Sequence, residues 1–179
     1  RTARRGRAMK LRRFLEIARA EFRFQTRRPL FWVLVVVLAL TAYGLSSGHV
    51  HIGSGDSDVG GKRVHITSQF ALGFSLSATV ILLYSFFLAV AAGMSVIRDD
   101  ELKVGEVLHS TPLTPGEYVW GKFAGISATF GLVLGLDLAF RAFSNHLLAT
   151  AESSEFIGSF SPWNYVRPAL LMALPTLLF

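Results

Sequence analysis

The chain has 179 residues, of which 51% are hydrophobic and 17% charged, and its formal net charge is +6. Charged residues usually make up about a quarter of a soluble domain, so this composition argues against that class. The sequence has no cysteine, which excludes disulfides, thiol catalysis and cysteine-ligated zinc. Eleven of the 18 bases lie in residues 1–28, ahead of the first apolar run. This distribution is typical of a membrane-flanking segment and argues against a nucleic-acid-binding surface.

Residues 10–28 have the period of an amphipathic helix. The apolar stripe is made of Leu11, Phe14, Leu15, Ala18 and Phe22. Arg12, Arg19 and Arg23 belong to the opposite side. A basic amphipathic helix lies in the plane of the membrane interface, with its arginines among the lipid headgroups. We therefore predict that residues 1–28 form a cytosolic basic tail and an interfacial helix; packing on a cytosolic protein domain is the alternative.

Long uncharged runs predict the membrane spans, because a helix needs ~20 apolar residues to cross ~30 Å of hydrocarbon. We predict an all-α membrane protein in which residues 29–179 form a transmembrane helix bundle of three full spans and a truncated fourth. The spans are predicted at residues 30–47, 69–97, 119–140 and 168–179. Since "ALLMALPTLLF" is only half a span, we expect this sequence to be an N-terminal fragment of a longer chain.

The first span follows Pro29 and has Trp32 at the level of the lipid headgroups. A secretory signal peptide would also combine a basic region with an apolar core. Here the basic region is long and amphipathic, and "AYG" is a weak cleavage site, so a membrane span is favoured.

Residues 46–68 are rich in Gly and Ser, which predicts an external loop between the first two spans. Its possible metal ligands are His49, His51, His65, Asp56 and Asp58. Imidazole suits zinc, copper or nickel. We favour a solvated loop that happens to contain histidines and predict no metal site, with metal binding by the three histidines as the open alternative.

Two features of the apolar runs concern helix packing. Asp137 and Arg141 are spaced i, i+4 near the far end of the third span, which predicts a structural ion pair in preference to a proton relay. Small residues also recur at a spacing of four: Gly121 with Gly125, Gly131 with Gly135, and Ala89 with Gly93. Such pairs let helix backbones approach closely in lipid and predict a packed bundle that is dimeric.

Residues 98–122 join the second and third spans and hold five carboxylates and three bases. The positive-inside rule places this stretch and the N-terminus in the cytoplasm. His109 has no second histidine near it, and the adjacent Ser110 cannot point at it, so we predict no catalysis here. The acids Asp99 to Glu101 favour the first turn of a short helix, because the macrodipole stabilises carboxylates there.

The end of this stretch carries a helix-start signal. Thr114 as N-cap, Pro115 at the first helical position and Glu117 two residues later predict a capping box. The helix is expected to continue into the third span, with Tyr118 and Trp120 at the membrane interface.

The string "RDDELKVGEVLHSTPLTPGEYVWGKF" resembles the cytosolic stretch between the second and third spans of type-2 ABC exporter permeases. The matching positions are Gly105, Glu106, Val107, Leu108, Thr111, Pro112, Tyr118, Gly121 and Lys122. The helix at 10–28, ending "RRPLFW", is similar to the connecting helix that precedes their first span. The form "STPLTPGEYVWGKF" most resembles bacterial permeases fused to a zinc aminopeptidase-like domain, and no part of such a domain lies in these residues.

The resemblance implies a permease subunit that couples ATP hydrolysis by a separate ABC ATP-binding subunit to substrate export. Residues 98–118 would be the coupling segment, whose docking residues are Asp99, Asp100, Glu101, Val104, Gly105, Glu106, Leu108, Thr111 and Pro112. ATP and Mg²⁺ would bind the partner, since this sequence has no P-loop; we predict no enzyme activity and no cofactor in this chain. The implied location is the bacterial inner membrane. The alternatives are the membrane anchor of a zinc peptidase whose catalytic domain lies further along, and a receptor or scaffold.

Overall fold

The computed structural model describes residues 2–47, 49–50, 52–54, 57–59, 67–104, 113–148 and 157–178. Within these ranges the chain is helical apart from one small hairpin, as predicted. The helices are α1 (Thr2–Thr26), α2 (Pro29–Ser46), α3 (Gln69–Thr79), a π-helical turn (Val80–Tyr84), α4 (Ser85–Glu101), α5 (Pro115–His146) and α6 (Pro162–Leu178). In the loop before α3, strand β1 (Ile52–Ser54) pairs antiparallel with β2 (Ser57–Val59).

Among the described residues, three helices are long and apolar enough to cross a membrane. They are α2 with 18 residues, the continuous helix Gln69–Glu101 with 33, and α5 with 32. All three coincide with predicted spans, but the second and third are longer than predicted. The predicted fourth span also differs at its start, because α6 begins at Pro162 and contains Pro168. Proline is tolerated in the first turn of a helix, so Pro162 suits this start.

The described helices pack in two compact units, and the helices Gln69–Glu101 and Pro115–His146 contribute to both. The second unit comprises Trp32–Phe86 and Leu132–Phe179. The most deeply buried aliphatic and aromatic side chains of this unit are Leu38, Leu72, Leu76 and Tyr84, and the unit also buries the charged side chains of Asp137 and Arg141.

The first unit comprises Arg1–Phe31 and Phe87–Gly131 and has a different interior. Among its described residues, the buried hydrophobic side chains are Phe31 and Phe130. Its other buried side chains are polar or charged: Glu21, Gln25, Ser95 and Lys122. Specific polar contacts therefore hold α1 to its neighbours in this unit.

Candidate functional site

Two glycines on α5 allow α1 to pass at very short range. A Cβ added at Gly125 would lie 2.6 Å from the carbonyl oxygen of Ala18 and 2.7 Å from Cβ of Glu21. One added at Gly121 would lie 2.8 Å from Cγ2 of Ile17. These distances are too short for any side chain, so the predicted Gly121/Gly125 pair serves to pack α1 on α5.

The other predicted small-residue positions differ. Among the described residues, nothing lies within 4 Å of a Cβ built at Gly93, Gly131 or Gly135. These glycines therefore make no close helix contact in the described part of the chain.

Glu21 joins α1 to α4. Its carboxylate is only 2% exposed and accepts hydrogen bonds from Nη2 of Arg98 at 2.7 Å and Nε2 of Gln25 at 2.8 Å. Gln25 also donates to the carbonyl oxygen of Ala91 on α4, at 3.3 Å. The buried carboxylate is thus paired with a base and also accepts a hydrogen bond from a neutral amide. Both contacts offset the cost of burying its charge.

Phe24 provides a second support for Arg98. The guanidinium of Arg98 lies 3.9 Å from the centre of the Phe24 ring, and the guanidinium of Arg28 lies 4.4 Å from the same ring. A cation over an aromatic face contributes about 0.5–2 kcal/mol. Carboxylate and ring together fix the position of the Arg98 side chain.

Lys122 joins α5 to the same end of α4. Its ammonium donates to Oδ1 of Asp99 at 2.5 Å, to Oγ of Ser95 at 2.8 Å and to the carbonyl oxygen of Ser95 at 3.1 Å. An ammonium has three N–H groups, so these three acceptors satisfy it fully. The adjacent residues Arg98 and Asp99 therefore connect α4 to two different helices.

We call this set the charged junction: Glu21, Gln25, Ser95, Arg98, Asp99 and Lys122. It contains two acids and two bases, so its formal charges balance. Losing one partner of such a buried pair costs about 3–5 kcal/mol, because the other charge stays buried without compensation. The junction is suited to holding three helices in a fixed arrangement.

The predicted helix start at Asp99 is wrong. Asp99, Asp100 and Glu101 form the last turn of α4, where the macrodipole disfavours carboxylates. The sequence has no glycine or proline between Gly93 and Glu101, so the helix continues through the charges. The helix ends at Glu101. Lys103 follows with a left-handed backbone, φ of 49°, and its amide donates to the carbonyl oxygen of Asp100. The bond to Lys122 compensates Asp99 for its unfavourable position.

The predicted docking residues separate into groups. Asp99 belongs to the junction, whereas Asp100 and Glu101 are exposed and Val104 is half-buried. The remaining five docking residues lie outside the described residues: Gly105, Glu106, Leu108, Thr111 and Pro112. The neighbouring His109 and Ser110 also lie outside them.

At the start of α5, the backbone amide of Glu117 donates to Oγ1 of Thr114 at 3.3 Å. The amide of Thr114 donates back to Oε2 of Glu117 at 3.2 Å. These are the two reciprocal bonds of a capping box, with Pro115 as the first helical residue. Tyr118 follows with its ring 5.1 Å from Nζ of Lys122, and Trp120 points outward.

The outer side of α1 is both apolar and basic. Leu11 is 59% exposed and Leu15 is 55% exposed. Arg12, Arg19 and Arg23 are exposed on the adjoining side. The predicted apolar stripe is therefore divided, since Phe14 and Ala18 are half-buried at the crossing with α5 while the two leucines remain free.

The loop histidines have little described structure. His49 is exposed, with Nδ1 2.7 Å from Oγ of Ser47. His51, His65 and Asp56 lie outside the described residues. Among the residues that are described, no three His, Asp or Glu side chains form a group that could hold a metal ion.

The second unit contains the predicted Asp137–Arg141 ion pair. Nε of Arg141 lies 3.1 Å from both carboxylate oxygens of Asp137, and both side chains are buried. Arg141 also donates to the hydroxyls of Ser75 and Thr79 on α3, at 2.9 Å each. Ser75 and Thr79 are spaced i, i+4 in an apolar helix, so their hydroxyls lie on one face. This spacing could have predicted a polar partner on that face.

Comparison with protein family models, curated proteins and solved structures gives no match for this chain. The resemblance to exporter permeases in residues 10–32 and 98–125 therefore stays a prediction from the sequence.

Proposed function

We propose that this chain is the permease subunit of an ATP-driven ABC transporter in the bacterial inner membrane. A separate ATP-binding subunit hydrolyses ATP, and the permease couples that reaction to substrate export. The observation that carries the proposal is the charged junction. It joins the last turn of α4 to α1 through Glu21 and to the second turn of α5 through Lys122, and these two turns flank the segment proposed to dock the ATPase.

A docking segment transmits force only when its attachment points resist deformation. On the α4 side, the last helical turn is held by Glu21 through Arg98 and by Lys122 through Asp99. On the α5 side, the capping box fixes the first turn and Lys122 fixes the second. Because buried ion pairs are costly to separate, movement of the segment would displace α1, α4 and α5 together.

Helix length supports a membrane location for this assembly. At 1.5 Å per residue, helices of 33 and 32 residues are about 50 Å long, whereas the hydrocarbon core is about 30 Å thick. The excess length leaves room for charged ends outside the hydrocarbon. The bases of the N-terminal segment favour the cytoplasmic side for residues 98–122 as well.

The outer side of α1 supports an interfacial position at the cytoplasmic leaflet. Leu11 and Leu15 would enter the acyl boundary, while Arg12, Arg19 and Arg23 would reach anionic headgroups. Each base near such a surface contributes about 1 kcal/mol to attraction. Lipid would thus cover Leu11 and Leu15, the apolar residues of α1 that α5 leaves exposed.

The function is tested by isolating the tagged protein from its native membrane in mild detergent and measuring ATP hydrolysis. We expect a P-loop ATPase to co-purify in a fixed ratio and to hydrolyse ATP. In the double variant Asp100→Arg/Glu101→Arg, which changes two exposed residues, we expect the permease-stimulated rate of ATP hydrolysis to fall at least tenfold.

The matched control is Glu16→Arg, which reverses an exposed acid away from the proposed docking segment and should retain the stimulation. Purification without any P-loop ATPase would reject the proposal. Full stimulation in the double variant would reject the part assigned to Asp100 and Glu101.

A further inference from the structure

The second candidate span is interrupted by a π-helical turn, Val80–Tyr84. The amide of Ser85 bonds to the carbonyl oxygen of Val80, and Oγ of Ser85 donates to the same oxygen at 3.0 Å. π-helical residues make up well under 1% of protein structure and often occur at functional sites. The turn has the sequence VILLY, without glycine or proline, so nothing in its own residues requires it.

The contacts on the N-terminal side of this turn come from Arg141. Its Nη1 donates to Oγ of Ser75 and its Nη2 to Oγ1 of Thr79, the residue immediately before the turn. Both hydroxyls also donate within their own helix, to the carbonyl oxygens of Leu72 and Ser75 respectively. These two hydroxyls keep a hydrogen-bond acceptor if Arg141 moves away, so α3 is left with no unsatisfied hydroxyl.

The contacts on the C-terminal side come from Asp137. Tyr84, the last residue of the turn, is buried with its side chain against the Asp137 carboxylate. Asp137 is fully buried and is held by Arg141. One ion pair on α5 therefore touches the residue before the turn and the residue that ends it.

Helix phase shows what the extra residue does. At 100° per residue, a regular α-helix would place Thr79 about 40° from Ser75 but Tyr84 about 180° from it, on the opposite face. The π turn absorbs one residue, which moves Tyr84 back by about 100° and onto the face of Thr79. Tyr84 can meet Asp137 only because of this turn.

We propose that Asp137 and Arg141 form a clamp that maintains the π turn and that can release it. When Arg141 leaves Ser75 and Thr79, the turn relaxes to an α-helical register, and the residues directly after Tyr84 shift by one position in helical phase, about 100° relative to α3. Arg141 is thus a positioning residue for the second candidate span. The proposal does not depend on the identity of any transported substrate or partner.

The test is a nitroxide scan in lipid nanodiscs, with single cysteines at residues 85–89 and a reference scan along α3. In the unmodified protein, oxygen accessibility should be highest at the exposed positions 85, 86 and 89. In Arg141→Met, we expect the maxima to move one residue toward the N-terminus, so that position 88 gains and position 89 loses accessibility.

The decisive comparison uses a protein from which Leu82 is deleted. This deletion removes the extra residue of the π turn, so the turn becomes α-helical while the residues after it keep their orientation. There, Arg141→Met should leave the pattern unchanged. A matched pair covers the case in which Arg141→Met does not fold. Thr79→Val removes an acceptor of Arg141, whereas Thr129→Val removes a hydroxyl that bonds only to its own helix.

We expect a partial shift in Thr79→Val and none in Thr129→Val. An unchanged pattern in both Arg141→Met and Thr79→Val would overturn the proposal. An equal shift in the Leu82-deleted background would overturn it as well, since no extra residue would remain to be released.

Discussion

Replacing Gly125 with alanine is expected to separate α1 from α5, because the new methyl group has no space. It would meet the carbonyl oxygen of Ala18 and Cβ of Glu21, and neither can rotate away. Forcing such a contact costs about 1–3 kcal/mol or more. We expect faster tryptic cleavage at Arg19 and Arg23 on the released helix, together with a lower unfolding temperature in detergent.

Gly131 supplies the matched control on the same helix. A methyl group there meets nothing within 4 Å among the described residues, and alanine favours a helix interior by about 0.5–1 kcal/mol. Gly131→Ala should therefore match or slightly exceed the parent in stability, with unchanged cleavage of α1. Equal behaviour of the two variants would contradict the close crossing of α1 and α5.

Arg98→Met is expected to destabilise the first unit by about 3–5 kcal/mol, because it leaves the buried Glu21 carboxylate without a charged partner. Adding Glu21→Leu should recover much of this loss, since the double variant buries no uncompensated charge. The free energy of unfolding, measured by denaturant titration of all three variants and the parent, gives the coupling between the two sites.

The exposed pair Arg12–Glu16 is the control for this cycle. Both side chains are mostly solvated, and exposed pairs of this kind contribute about 0.2–1 kcal/mol. Arg12→Met should therefore change stability little. Additive effects of Arg98→Met and Glu21→Leu would show that the two residues do not act as a buried pair.

Local sequence signals were sufficient for the helices. Long uncharged runs mark the first two long helices, and a shorter run between Lys122 and Asp137 marks the third. The threonine, proline and glutamate at 114–117 mark the start of α5, where both capping bonds are present. These signals act within a few residues of the chain and need no tertiary partner. They fail at Asp99, because an acidic run can follow a helix as well as begin one, and only the distant Lys122 distinguishes the two.

The junction itself needed tertiary information. Glu21 and Gln25 follow Phe14 and Ala18 on one side of α1, so a polar patch within the apolar stripe was visible in the sequence. Its partner Arg98 is 77 residues away along the chain. The helical periodicity of α1 could not decide whether its apolar side meets lipid or protein. In the structure, part of the stripe packs on α5 and part is exposed.

The π turn is the feature that sequence could least predict. VILLY is an ordinary apolar helix sequence, and its backbone is unusual only where Arg141 and Asp137 lie against both ends. A regular helix would have been expected from every local propensity. The i, i+4 spacing of Asp137 and Arg141 did predict their ion pair, but not the second helix that the pair holds.

Crosslinking from the end of α4 tests the central claim most directly. The protein with a single cysteine at Leu102, which is 65% exposed, is labelled with a photoactivatable maleimide in its native membrane; Leu147, which is 71% exposed, serves as the matched site. We predict that position 102 crosslinks to a P-loop ATPase subunit and position 147 does not. No ATPase adduct at position 102, or equal adducts at both positions, would contradict a permease whose 98–118 segment docks a nucleotide-hydrolysing partner.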